Sequence, residues 1–343
     1  MSVKGKTGVM LVNLGTPDAP QRGAVYRYLR QFLLDPRVID YPWLPRQLLV
    51  QGIIAPFRSG SSAKLYRRLW TAEGSPLKVY GQRLAAGVQA LLGDSYAVAL
   101  AMRYQQPSIA SAIRQLMDQQ VSEIVVFPLF PQYASATTGS VFAEVMAVLE
   151  KEEVIPPLRL VRDYYDHEPM IEVFAANASA FDLASYDHFI FSYHGLPQRQ
   201  LRKADRCDHC LKSPDCCQTI SSVNQFCYSA QCHATTQAIA GKLNLPEEKY
   251  TTTFQSRLGP EKWAQPYTSE VIKNLAERGA KRLLVFSPAF VADCLETLIE
   301  IKVEYLEMFE ALGGEHLDLV PSLNDDSRWF EAVANLVMKN AVR

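Results

Sequence analysis

Two stretches decide the fold: Val9-Met-Leu-Val-Asn-Leu-Gly-Thr-Pro17 and Phe189-Ile-Phe-Ser-Tyr-His-Gly-Leu-Pro197. In each, an apolar run with strand character breaks into a turn that carries glycine and then proline. The pairing extends outward from there. Met102-Arg103-Tyr104 leads on to Pro107, as Gln255-Ser-Arg257 leads to Pro260, and Ile124-Val-Val-Phe-Pro-Leu-Phe130 is answered by Leu283-Leu-Val-Phe-Ser-Pro-Ala-Phe290. Strands are expected at 9–13, 97–102, 123–128, 188–192, 249–254 and 282–287, with amphipathic helices such as 108–119 and 268–278 between them. Strands alternating with helices predict an α/β fold of two similar, doubly wound halves with parallel sheets. In such sheets ligands gather at the carboxyl ends of the strands, so the loops after Asn13, Met102, Pro128, Tyr193, Gln255 and Phe286 are the ones to read for chemistry.

A chain of 343 residues suits two domains. The expected division is a first half at 1–165, with a C-terminal helix at 326–343 packing on it, and a second half at 166–325 that contains a cysteine-rich insertion at 200–231. Lys and Arg number 35 against 36 Asp and Glu, so no basic field exists to gather nucleic acid, and none is expected as a partner. The most apolar runs, such as Leu283 to Ala292, are interrupted and too short to span a bilayer. The N-terminus passes from Lys4 and Lys6 straight into a strand, so no leader is expected and the cytoplasm is the default compartment.

His194 stands directly after an apolar strand and before Gly195, where an imidazole can accept a proton near neutral pH or ligate a divalent metal. A helix cap or a core histidine is the plain alternative. Downstream of the strand ending near Phe286, Asp293 and Glu296 open a helix expected to run to about Phe309. At an α-helical period Glu296, Glu300, Glu304, Glu307 and Glu310 share one stripe, whose distal part can be an ordinary solvated face. Asp293 and Glu296 lie in the first turn, near the strand end, and are the better candidates. Neither a dinucleotide-binding glycine pattern nor a phosphate loop is present, which disfavours NAD and ATP.

Asn13-Leu-Gly-Thr-Pro17, Gly74-Ser-Pro-Leu77, Pro128-Leu-Phe-Pro-Gln-Tyr-Ala-Ser-Ala-Thr-Thr-Gly139, Ser192-Tyr-His-Gly-Leu-Pro197, Thr253-Phe-Gln-Ser-Arg257 and Phe290-Val-Ala-Asp-Cys-Leu-Glu-Thr297 resemble, in order and spacing, the motifs of ferrochelatase. The resemblance covers nearly the whole chain. It implies two Rossmann-like halves around a porphyrin cleft and a lyase that inserts Fe²⁺, its substrate metal, into protoporphyrin IX. It further implies that His194 and Glu296 meet the metal from opposite halves, that Asp293 sits beside Glu296, and that Glu300 and Glu304 extend an acidic track. The position of Cys294 is a histidine in some members, so no role is carried over to it. Arg103 and Tyr104, with Leu14, Ser135, Thr137 and Phe290 inside the quoted motifs, are implied to lie near the macrocycle. Segment 30–57 resembles an apolar lip implicated in peripheral membrane contact, which would place the protein at the inner membrane face; a plain core helix is the competing reading. A coproporphyrin or cobalt chelatase, and a non-catalytic iron–sulfur or tetrapyrrole sensor, are the rival functions. Oligomeric state is not legible.

Six of the seven cysteines fall between Cys207 and Cys232, a density that points to metal where no export signal is expected. A [2Fe–2S] cluster is favoured over zinc, because no second C-x-x-C follows Cys207-Asp-His-Cys210, and over free or redox-active thiols. Some bacterial ferrochelatases carry such a cluster, which the resemblance adds in support. Cys207, Cys210 and one of Cys216 or Cys217, with Cys217 taken before Cys216, form the expected core set. Cys227 is preferred as fourth ligand over Cys232, since a cysteine near the latter also occurs in relatives without a cluster.

Overall fold

The structure is a computed structural model and describes residues 5–341. It divides into two compact units. The first takes the chain to Phe130, then Ala134–Arg162, then the chain from Asp325 onward; the second takes Pro131–Tyr133 and Asp163–Asn324.

The first unit holds β1 (Thr7–Gly15), β2 (Tyr96–Tyr104), β3 (Glu123–Pro128) and β4 (Leu158–Leu160), in the spatial order β2-β1-β3-β4. The second holds β5 (His188–His194), β6 (Tyr250–Gln255), β7 (Arg282–Phe286) and β8 (His316–Leu319), in the order β6-β5-β7-β8. Every pairing is parallel, so the repeat read in the sequence is a repeat of topology. Central strands of such a sheet are covered on both faces, which is why Val9, Met10, Leu11 and Val12 are all at 0% exposure without any alternation. Helices Ile109–Asp118 and Ser140–Leu149 cover one face through Ile109, Ile113, Leu116, Val141 and Val145. In the second unit Ile190, Leu283 and Val285 pack with Ile272, Ile301 and Phe309.

Both units shape the loop after their edge strand in the same way. The Met102 N–H donates to the Pro107 carbonyl at 2.6 Å, and the Phe254 N–H to the Pro266 carbonyl at 2.9 Å. Pro266, not Pro260, is therefore the counterpart of Pro107. Between these bonded residues the second unit has seven more residues than the first, and they hid the equivalence.

The carboxylate-bearing helix also departs from expectation. Glu296–Tyr305 is a π-helix, followed by an α-helix at Leu306–Ala311. Its counterpart after β3 begins with a π-helical turn too, at Ser135–Gly139. An i→i+5 ladder turns less per residue than an α-helix, so residues four and five apart share a face: Glu296, Glu300 and Glu304 stay on one side, and Tyr305 joins Glu300 there. Segment 30–57 is not a core helix. The helix Arg22–Leu33 ends inside it, and Trp43–Gln47, π-helical Leu48–Ile54 and the start of Ala55–Leu69 follow in continuous succession. Trp43, Leu44, Leu48, Ile53 and Phe57 all face outward, Phe57 at 78% exposure. Among the described residues no helix is long and apolar enough to cross a membrane.

Candidate active site

His194 is the last residue of β5 and is half-buried. Its Nδ1 lies 2.7 Å from the Gly195 carbonyl, and a carbonyl can only accept, so this contact puts a proton on Nδ1 and leaves the Nε2 lone pair of the neutral ring available. The Tyr228 hydroxyl donates to the His194 carbonyl at 2.9 Å, and the Trp263 ring flanks the imidazole at 6.4 Å. Gly195 is required by close approach: a Cβ there would sit 2.9 Å from the Gln255 carbonyl and 3.3 Å from the Trp263 ring. Backbone packing and hydrogen bonding thus fix where the imidazole stands.

Glu296 opens the π-helix and stays half-buried. Burial, and then the Glu296 carboxylate beside it, push the Cys294 thiol well above its ordinary value, so that thiol is a neutral neighbour of Glu296. Asp293 has both oxygens engaged: Oδ1 accepts from Thr297 Oγ1 at 3.0 Å and Oδ2 from Asn324 Nδ2 at 2.7 Å, while its own N–H donates to Asn324 Oδ1 at 2.8 Å. It ties the entry of the helix to the loop after β8. Glu300 accepts from the Ser256 N–H at 2.9 Å, Ser256 Oγ at 2.5 Å, Gln255 Nε2 at 3.2 Å and the Tyr305 hydroxyl at 3.0 Å. The contact between Glu300 and Tyr305, five residues apart, is a product of the π-helical register. Burial and the Glu300 charge push the Tyr305 phenol up, so it stays a donor. Glu304 is exposed. A polar recess of about 270 Å³ opens beside Glu300, Ser256, Arg257 and Glu270 and does not include His194.

His194 and Glu296 both belong to the second unit and follow the neighbouring strands β5 and β7. The expectation that they come from opposite halves is corrected: the imidazole and the carboxylate share one sheet edge. Gln255, marked in the sequence as a strand end but not as a site residue, bonds to both neighbourhoods.

In the first unit Arg103 and Tyr104 end β2 in a buried network around Asp35. Asp35 Oδ2 accepts from Arg103 Nη2 at 2.8 Å, the Tyr104 hydroxyl at 2.9 Å and Ser140 Oγ at 2.5 Å. Tyr104 is at 0% exposure, and burial drives its phenol well up. Leu14 is half-buried, just before Gly15, whose φ of +117° and approach of a would-be Cβ to within 2.0 Å of the Tyr104 carbonyl admit only glycine. Ser135 accepts from Arg37 Nη1 at 2.9 Å, and Thr137 donates back to the Ala134 carbonyl at 3.4 Å. Phe290 is half-buried in the turn after β7.

The insertion forms a second cluster. Cys207, Cys210, Cys216, Cys217 and Cys227 line one cavity of about 140 Å³ with Leu201 and Phe226. Cys216 and Cys217 sulfurs lie 3.4 Å apart, and Cys217 and Cys227 sulfurs 3.8 Å. Cys227 precedes the helix Tyr228–Lys242, and hydrogen bonds from Cys210 and Cys217, then from the Ala230 and Ser229 N–H groups, draw its thiol well below the ordinary value. Asp205, which the sequence reading did not single out, accepts from the N–H groups of Cys207, His209 and Cys210 and holds the loop. Cys232 lies apart from the cavity, fully buried beside Tyr228. Among the described residues no three His, Cys, Asp or Glu side chains already stand in a metal-binding arrangement.

The model of the ferrochelatase family matches residues 6–341. A ferrochelatase of Coxiella burnetii (strain Dugway 5J108-111) is 45% identical over 335 residues, 98% of this chain and 94% of that one. A ferrochelatase of Legionella pneumophila (strain Lens) is 43% identical over 332 residues, 97% and 98% of the two chains. Among solved structures, SirB from Bacillus subtilis with Fe³⁺ aligns at a TM-score of 0.54 and 12% identity, covering 98% of this chain and 96% of that one, a likeness of fold. Matched along almost its whole length, with the strand-end histidine and carboxylate in place, the chain belongs to the ferrochelatase family.

Proposed function

We propose that this chain inserts Fe²⁺ into protoporphyrin IX by the edge of the second unit where β5 and β7 end. Family membership makes it a metal chelatase of the lyase class; the roles of individual residues are our reading. Metallation requires two pyrrole N–H protons to leave and a hydrated cation to shed water. His194 Nε2, free because Nδ1 is held by the Gly195 carbonyl, accepts one pyrrole proton at a time and passes the first to solvent before taking the second, and Glu296 offers an oxygen that binds Fe²⁺ loosely enough to release it. Asp293 and Glu300 orient Glu296 through the helix entry and the β6 turn, and Glu304 extends the acidic side chains toward solvent. Leu14, Ser135, Thr137 and Phe290 shape the porphyrin-facing loops, with Arg103 and Tyr104 holding the first unit's loops through Asp35.

The carrying observation is the one-sided imidazole. His194→Ala should abolish loss of free-base porphyrin fluorescence with Fe²⁺ under anaerobic conditions while porphyrin binding persists; near-normal turnover would refute the role.

A [2Fe–2S] cluster in the insertion is the second element of the proposal. Five thiols lining one cavity, one of them acidified at a helix N-terminus, are a fitting donor set. Cys207, Cys210, Cys217 and Cys227 would hold it, with Cys216 the alternate; when bound, such a group supplies a one-electron redox centre. The exposed apolar side chains from Trp43 to Phe57, with Arg37 and Arg58 exposed nearby, support docking of a cytoplasmic protein on the inner membrane face.

A further inference from the structure

Gln255 ends β6 at 2% exposure, and its amide is fully engaged. Oε1 accepts from Ser192 Oγ at 2.6 Å; Nε2 donates to the Glu296 carbonyl at 3.4 Å and to Glu300 Oε2 at 3.2 Å. The amide can face only one way, because a carbonyl and a carboxylate are both acceptors and need the two N–H groups. Its backbone carbonyl takes the Gly195 N–H at 2.9 Å, and in the ladder Gln255 stands opposite His194 itself. Ser192 lies two residues before His194 on β5 and continues the network to Thr268 Oγ1 at 2.9 Å, which in turn reaches Thr253 Oγ1 at 2.9 Å. One buried side chain therefore ties the strand that ends in the imidazole to the first turn of the helix that carries the carboxylates.

We infer that Gln255 is a positioning residue for metallation, fixing Glu296 and Glu300 relative to His194; this rests on the reading of His194 and Glu296 given above. Gln255 touches neither metal nor porphyrin in this role. It removes a degree of freedom from the helix start, so that the carboxylate is already placed when protons and metal change partners. Such a residue affects the chemical step more than porphyrin binding.

Two substitutions in the full chain test this. Gln255→Met keeps the length and apolar bulk but removes every hydrogen bond of the amide. Its kcat for Fe²⁺ insertion should fall about tenfold or more, with the KM for porphyrin within about twofold of the parent and the same circular dichroism spectrum. Gln255→Glu retains an acceptor for Ser192 but can donate to Glu300 only while protonated, and two facing carboxyls compete for that proton. Its kcat relative to the parent, measured at each pH, should be highest at the acidic end and decline as pH rises, whereas the Gln255→Met ratio stays low throughout. The inference is overturned by a Gln255→Met kcat within twofold of the parent, by a kcat loss that vanishes once corrected for the folded fraction, or by a flat Gln255→Glu ratio. His194→Ala, assayed alongside, separates the two readings: if it is inactive and Gln255→Met is not impaired, only the positioning role fails, and if His194→Ala turns over normally, the active-site assignment itself fails.

Discussion

Replacing Arg103 by methionine should destabilise the first unit severely. The guanidinium donates to Asp35 Oδ2 at 2.8 Å and to Ser140 Oγ at 2.7 Å, and pairs with Glu144 at 3.2 Å. The Asp35 side chain is only 3% exposed, so water cannot replace what is removed. Stranding one partner of a buried ion pair costs about 3–5 kcal/mol. Asp35 would keep the Tyr104 hydroxyl, Ser140 Oγ and the Arg37 N–H at 2.7 Å, which places the expected loss near the lower end, about 3 kcal/mol. For a unit of this size that corresponds to a drop in Tm of roughly 6–12 °C by scanning calorimetry. The double variant Asp35→Asn/Arg103→Met should recover part of the loss, because the remaining groups are neutral and hydrogen-bonded. A loss below about 1 kcal/mol for Arg103→Met, or a double variant worse than the two singles together, would show that Asp35 does not depend on the pair.

In the second unit His188 is largely buried against Thr251 Oγ1, with Lys249 and Arg278 nearby; burial first and those charges second lower its pKa to about 4. The folded state therefore disfavours the imidazolium, so stability is fully present above the unfolded value near 6.5 and is lost as pH falls from there toward 4. His188→Gln should flatten that acid limb in urea unfolding at pH 7 and pH 4.5, and an unchanged limb would assign the loss to other groups. Cys227→Ser should remove visible absorption and acid-labile sulfide from anaerobically purified protein, while Cys232→Ser, outside the cavity, should retain both. Trp43→Ser combined with Phe57→Ser should reduce cosedimentation with anionic vesicles at least severalfold without changing turnover in detergent; equal sedimentation would remove the outer face of this segment from membrane contact.

The sequence revealed what repeats and concealed what is tertiary. Six strands were legible because each is a run of β-branched or apolar residues, but β4 and β8 were not: Leu158–Leu160 and His316–Leu319 are short and partly exposed, and carry no such run. His194 stood out by its place between an apolar strand and Gly195. Asp35, Gln255 and Asn324 did not, since their roles arise from partners 31 to 105 residues away in the chain, and nothing local marks those partners. The winding of the carboxylate helix was missed for a different reason. Periodicity assumes the α-helical rotation, and no residue type from Glu296 to Tyr305 announces an i→i+5 ladder. The choice between Cys216 and Cys217 could not be read from adjacent residues, and in the structure both reach the cavity.

The π-helical start at Glu296 makes chain length there as consequential as chemistry. A π-turn accommodates more residues than the α-helical turn it replaces, so the stretch 296–305 is in effect an α-helix with surplus chain wound into it. Excising a single residue between Glu296 and Glu300 would let the segment relax toward α-helical winding and break the register that brings residues five apart together. Glu300 would leave Ser256, and Tyr305 would leave Glu300, although every surviving side chain was native. This element should therefore tolerate several substitutions better than one lost codon.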